Sequence, residues 1–190
     1  MSKARRVETV SVEEYLAGER DADVRHEFVD GELFAMAGAS RAHGTAVANL
    51  SRELGVRLRG GPCRIGIADM KVRAAPGSRY YYPDIVVSCN DPADEPDPYT
   101  ETRPSLIVEV LSPSTESTDR REKRVVYQRM ESLRDYVLVN PAKREIEVYS
   151  RDADGWSHRR TSEHETLALA SIGVELPAAD VFEGVETDAS

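Results

Sequence analysis

The apolar positions of this chain fall into three patterns. Val47, Leu50, Leu54 and Leu58 recur at spacings of three and four, which predicts a helix with one buried face. Ser40 stands where it can cap that helix, and Gly60-Gly61-Pro62 closes it. Residues 25–36 show a second pattern, two mixed stretches around Asp30-Gly31, a dipeptide that predicts a hairpin turn. The third pattern is nearly continuous. Residues 80–87 read Tyr-Tyr-Tyr-Pro-Asp-Ile-Val-Val and 105–112 read Ser-Leu-Ile-Val-Glu-Val-Leu-Ser, runs of β-branched and aliphatic residues that look like strands bound for the middle of a sheet.

Other elements fill in around these. Ser11 with Glu14 is a capping-box pair, predicting a short helix over 12–18 that stops near Gly18. A strand is expected over 64–72, with Pro76-Gly77 turning the chain toward the run that holds Asp84. The proline-rich, acidic stretch 90–104 reads as a surface loop. After the polar connection 112–118, Asp119 and Glu122 resemble an N-cap pair opening a helix to about Leu133, which would bury Val126, Met130 and Leu133. Strands are expected next at 136–139 and 146–149, with an edge strand at 156–160. The segment 176–182 is amphipathic and is expected to pack on the body, while residues 1–10 and the last few are loose ends. The reading is an α/β fold in one domain over 1–190, with a core at about 12–182. It has a mixed central sheet flanked by helices, plus an N-terminal helix and hairpin.

Composition narrows the picture. The chain has 190 residues, enough for one substantial core. No apolar run approaches the ~20 residues of a membrane span, and the basic N-terminus lacks the apolar segment of a secretory signal. With only Cys63 and Cys89, neither a disulfide framework nor a cysteine-based zinc site is expected. A cytoplasmic location is the default. The net charge of -9 argues against a sequence-independent nucleic-acid binder but leaves room for a nuclease with a local basic patch, such as Arg120, Arg121, Lys123 and Arg124.

Candidate chemistry centres on Asp84 and Glu109. A carboxylate inside an apolar strand is costly unless paired or bound to metal. Two of them brought to one sheet edge make a candidate Mg²⁺ site, with the Val110 carbonyl completing the set. The bland alternative is that each pairs with an arginine or faces water. Lys123, four residues after Asp119, is either an ordinary surface ion pair or an inward amine that orients water over the carboxylates, with Tyr127 on the same face. Glu27 can be a solvent-facing strand residue, and His43 a helix-start residue. Asp69 and Lys71 alternate, so one strand would point both to one face as an edge salt bridge. Lys71 is also a rival for the functional lysine. No nucleophile elbow, phosphate loop, dinucleotide fingerprint or zinc-binding His-Glu-x-x-His pair appears.

Asp-Met-Lys-Val-Arg (69–73), Tyr-Tyr-Pro-Asp-Ile (81–85), Ile-Val-Glu-Val-Leu-Ser-Pro-Ser-Thr (107–115), Asp-Arg-Arg-Glu-Lys (119–123) with Tyr127, and Asp-Tyr-Val-Leu-Val (135–139) together resemble the Uma-two family of restriction-endonuclease-like proteins. Glu-Phe-Val-Asp-Gly (27–31) and His43 look like its N-terminal part. The resemblance implies the PD-(D/E)xK fold, with Asp84 as first acid and Glu109 as second. The usual lysine two places on is replaced by Leu111, and the family resemblance points to Lys123 instead. Glu27 looks like the superfamily's extra N-terminal glutamate. The resemblance further implies a Mg²⁺-dependent endodeoxyribonuclease (Mn²⁺ substituting), acting on DNA as a homodimer. The rival is an inactive relative that binds nucleic acid or a protein partner, and a third reading is a phosphohydrolase with another substrate.

Overall fold

The computed structural model describes residues 9–186 except 37, 76, 77 and 96. Ser11 opens α1 (Val12–Arg20): its hydroxyl accepts the Glu14 N–H and its own N–H is accepted by the Glu14 carboxylate. The hairpin β1 (His26–Val29) and β2 (Glu32–Ala35) turns at Asp30 and Gly31, both at positive φ (51° and 97°), as a tight two-residue turn requires. Ser40 caps α2 (Arg41–Arg57) by accepting the His43 N–H.

Then come β3 (Arg64–Ile67), β4 (Lys71–Ala75), β5 (Arg79–Tyr81), β6 (Ile85–Ser88), β7 (Thr100–Glu101) and β8 (Leu106–Val110). A helical crossover comes next, made of α3 (Glu116–Thr118), a π turn (Asp119–Lys123) and α4 (Arg124–Tyr127). The chain continues through β9 (Asp135–Asn140), β10 (Glu145–Asp152), β11 (Gly155–Ser162), β12 (Thr166–Leu169), β13 (Val174–Pro177) and α5 (Ala178–Val181).

Two mixed sheets result, one ordered β2-β1-β5-β4-β7 and one β11-β10-β9-β8-β6-β3, with β12 and β13 as a separate pair. The β8–β9 pair is parallel, which is why a helical crossover must join them. The six-stranded sheet is covered on both faces. On one, Ile85, Val87, Val108 and Val137 pack under α2, α5 and the β12–β13 pair. On the other, Val86, Ile107, Leu138 and Tyr136 meet Val126, Tyr127 and Leu133 of the crossover and Val72 and Tyr81 of the other sheet. Continuous apolar runs are the direct consequence of this double cover. The mixed α/β architecture read from the sequence holds.

Several boundaries differ. The expected strand 64–72 breaks at Ala68, which has φ 47°, so β3 and β4 enter different sheets. Asp69 therefore lies exposed in the connection while Lys71 is buried, and the two share no face. The 80–87 run likewise splits at Tyr82-Pro83-Asp84: β5 belongs to one sheet and β6 to the other. The crossover helix begins at Glu116 and ends at Tyr127, so Asp119 is interior to it and not an N-cap, although Val126, Met130 and Leu133 are buried as expected. Within the 90–104 loop, Glu101 is buried against Arg64 (3.0 Å) and the Ser88 hydroxyl (2.7 Å). The Pro76-Gly77 turn lies outside the described residues.

The cysteines correct a further expectation. Cys63 and Cys89 form a disulfide. Register explains it: Arg64 pairs with Ser88, so the next opposed positions are Cys63 and Cys89. Pairing across a ladder is invisible to a count of cysteines.

Candidate active site

The bend at Tyr82-Pro83-Asp84 sets a carboxylate just ahead of β6. Ile85 pairs with Val108 across the β6–β8 ladder, so one step further Asp84 stands across from Glu109. Asp84 Oδ2 accepts the Val110 N–H at 2.6 Å, which ties the bend to β8. Glu109, flanked by Ile107 and Leu111, is only 4% exposed. A carboxylate so buried needs partners, and its Oε1 accepts from the Tyr127 hydroxyl at 3.2 Å and the Lys123 ammonium at 3.3 Å.

Lys123 and Asp119 both come from the π turn and, four residues apart, share one face of it. Lys123 Nζ lies 2.8 Å from Glu27 Oε1, 3.3 Å from Glu109 Oε1 and 3.4 Å from Asp119 Oδ1. The Tyr81 ring stands beside the same ammonium, its centroid 5.5 Å away. Glu27 reaches the cluster from β1 and also accepts the Tyr82 N–H at 3.3 Å. His43, fixed on the first turn of α2 by the Ser40 cap, sets Nε2 3.2 Å from Asp84 Oδ2. Glu27, His43, Asp84, Glu109, Asp119 and Lys123 line one cleft of about 770 Å³, whose outer walls include Phe34, Val47 and Ile67.

Burial pushes Glu109 well above the usual carboxylate range; Lys123 opposes the rise, and Asp119, Asp84 and Glu27 add to it. Asp119 is raised for the same first reason, burial. Burial works against the charge on Lys123, but Glu109, Glu27 and Asp119 outweigh it and hold the amine protonated well above its ordinary value. His43 is likewise raised: burial opposes, and Asp84 prevails.

Asp84, Glu109, Lys123 and Glu27 thus meet in one cleft, with Val110 giving its N–H to Asp84. Lys71 does not join them; its amine lines a different cavity. The sequence reading passed over Asp119, which it treated as a cap and ion-pair partner. The one signal in the sequence was its spacing of four from Lys123. It also left open His43, whose contact with Asp84 depends on how α2 sits against β6.

Among the described residues, no three His, Cys, Asp or Glu side chains form a ready metal cage. The donors present are two carboxylates on one sheet edge beside backbone oxygen. That set suits Mg²⁺, which takes one or two carboxylates and fills its shell with water and phosphate. Four carboxylates (Glu27, Asp84, Glu109 and Asp119) surround Lys123 and His43, and the buried Asp119 Oδ1 has only the 3.4 Å ion-pair contact with Lys123. An excess of buried negative charge is what a divalent ion relieves.

The Uma2 family model, described as "Putative restriction endonuclease", matches residues 12–179. An uncharacterized protein of Synechocystis sp. is 37% identical over 177 residues, spanning 93% of this chain and 93% of that protein. A second from the same organism is 34% identical over 142 residues, spanning 74% and 80%. Among solved structures, the fold is similar to that of "a putative nuclease belonging to DUF820" from Anabaena variabilis, with TM-score 0.75 and 14% identity over 93% of this chain and 99% of that one. At such identity the likeness is one of fold.

Proposed function

The chain belongs to the Uma2 family of restriction-endonuclease-like proteins, and from that membership we propose that it is a metal-dependent endonuclease that hydrolyses DNA phosphodiester bonds. The observation that carries the reading is the Lys123 ammonium, held 2.8 Å from Glu27 and 3.3 Å from Glu109 at the edge where Asp84 arrives. Asp84, Glu109 and the Val110 carbonyl would hold Mg²⁺, or Mn²⁺ in its place. When bound, the ion supplies Lewis acidity, lowering the pKa of water and neutralising phosphoryl charge. Lys123 orients the attacking water and steadies charge on the phosphoryl oxygens. Glu27 keeps that amine charged and aimed. Leu111, at the position where the superfamily motif has its lysine, packs in the apolar cluster with Tyr127 and Tyr136, so the amine is supplied from the crossover instead. In this reading residues 12–182 work as one domain, and cutting both strands of a duplex calls for two copies.

Incubation of the purified protein with supercoiled plasmid and Mg²⁺ or Mn²⁺ tests the proposal. Wild type is expected to nick or linearise the plasmid, and Asp84→Ala and Glu109→Ala are expected not to. One observation favours a second reading, a non-cutting relative that binds nucleic acid or a protein partner: His43 Nε2 already sits on Asp84 Oδ2, an oxygen a metal would use. Metal-independent binding with no cleavage of DNA or RNA would select it.

A further inference from the structure

Lys71 opens β4 and is 4% exposed, yet its amine has neither an ion pair nor a hydrogen bond among the described residues. Its nitrogen lies 5.6 Å from the Tyr15 ring centroid and 5.8 Å from that of Tyr82. Ring faces attract an ammonium but accept no conventional hydrogen bond from it, so the nitrogen of this otherwise buried side chain is answered only through the cavity it lines. Burial accordingly holds this amine below the ordinary lysine value.

The residue lines a second cavity of about 270 Å³, with Arg20 and Arg25 beside it. Tyr82 lines both this cavity and the catalytic cleft and so stands between them. The acids nearby do not supply what Lys71 lacks. Glu19 is buried, but its oxygens are engaged by the His26 N–H (2.7 Å), the Tyr82 hydroxyl (3.1 Å) and His26 Nδ1 (3.3 Å). Asp69 and Asp97 meet Arg25 and Arg20 only at 3.5 and 3.9 Å, with Asp69 and Arg20 largely in solvent, where such pairs are weak. Asp21 is exposed at the mouth. Arg25 already donates to the Glu19 carbonyl at 3.0 Å; an acceptor small enough for the cavity, carrying negative charge and several oxygens, would satisfy the amine and take the remaining donors of both guanidinium groups.

We propose that this cavity is a phosphate-oxyanion site, with Lys71 as its buried donor and Arg20 and Arg25 as its rim cations. The anion is inorganic phosphate, the terminal phosphate of a strand, or a phosphodiester of a strand lying in the neighbouring cleft; the last two sources rest on the nuclease reading.

Titration calorimetry in EDTA separates the site from any metal chemistry. Inorganic phosphate is expected to bind wild type saturably. Lys71→Met should weaken it by about ten-fold or more, the loss expected for a charge-assisted contact. An Arg20→Gln/Arg25→Gln variant should weaken it several-fold, and it decides the matter if Lys71→Met does not fold. Oligonucleotides with and without a 5′-phosphate, titrated under the same conditions, assign the source. A 5′-phosphate preference that vanishes in Lys71→Met marks a terminal phosphate, equal weakening of both marks a phosphodiester, and an effect confined to inorganic phosphate marks the free anion. Absence of saturable phosphate binding by wild type, or binding that the variants retain in full, overturns the proposal whether or not the protein cuts DNA.

Discussion

Lys123 Nζ and Glu27 Oε1, 2.8 Å apart, join the helical crossover to the N-terminal hairpin through a buried ion pair. Removing the amine leaves Glu109 and Asp119 buried without their counter-charge, which costs about 3–5 kcal/mol in comparable cases. Lys123→Met should therefore lose that order of stability in urea unfolding and also lose cleavage. An unfolding midpoint equal to wild type would mean that the cluster is not held together by this amine.

A bound divalent ion stabilises only the folded state. At about 100 times its dissociation constant it adds roughly 2.7 kcal/mol. Mg²⁺ or Mn²⁺ should raise the wild-type melting temperature, and Asp84→Asn should remove most of the rise. Equal shifts in both proteins would move the metal away from the edge formed by Asp84 and Glu109.

Asp119 sets a pH-dependent cost on the metal-free protein. Burial raises both its pKa and that of Glu109. For a carboxyl raised in the folded state, the stabilising contribution is complete below the unfolded value and is lost as pH rises through the folded value. The contribution of these two carboxyls to the stability of the metal-free protein should therefore fall as pH climbs from about 4 towards neutrality. The Lys123 contribution, from an amine raised well above 10.5, persists until alkaline pH. Asp119→Asn should be more stable than wild type by about 1 kcal/mol near neutral pH in EDTA, with a flatter pH profile in thermal melts.

Much of the fold was legible in the sequence because it was local. The Ser11–Glu14 box, the Asp30-Gly31 turn and the Ser40 cap each depend on residues a few positions apart. The two acidic strand runs stood out because a carboxylate among Ile and Val is expensive. What could not be read were breaks and registers. Nothing in Ile67-Ala68-Asp69 announces that Ala68 will take φ 47° and send the chain into another sheet. The burial of Asp119, the His43 contact with Asp84 and the Cys63–Cys89 pairing all require knowing which elements lie side by side.

That disulfide staples the edge strand β3 to the end of β6, the strand that Asp84 precedes, and closes a loop of 26 residues. Loop-closure entropy for this length is worth roughly 3 kcal/mol. Denatured, unreduced protein should show no free thiols with a thiol reagent. Reduction should lower the urea midpoint accordingly, while two free thiols in the native preparation would remove the staple from the account.

Lys71 supplies a test of the second cavity that does not depend on catalysis. Its pKa is depressed by burial, with Asp97 and Glu19 partly offsetting and Arg25 and Arg20 adding to the depression. A base depressed in the folded state contributes stability above its unfolded value, near 10.5, and forfeits it as pH falls through the folded value. Near neutral pH the wild type thus carries an ammonium whose burial Asp97 and Glu19 offset only in part, and Lys71→Met should be more stable by about 1 kcal/mol. The gap should close as pH rises toward 10.5. Adding inorganic phosphate at neutral pH should narrow it as well, by raising the melting temperature of wild type more than that of the variant. A gap that ignores both pH and phosphate would mean that Met simply packs better between Tyr15 and Tyr82.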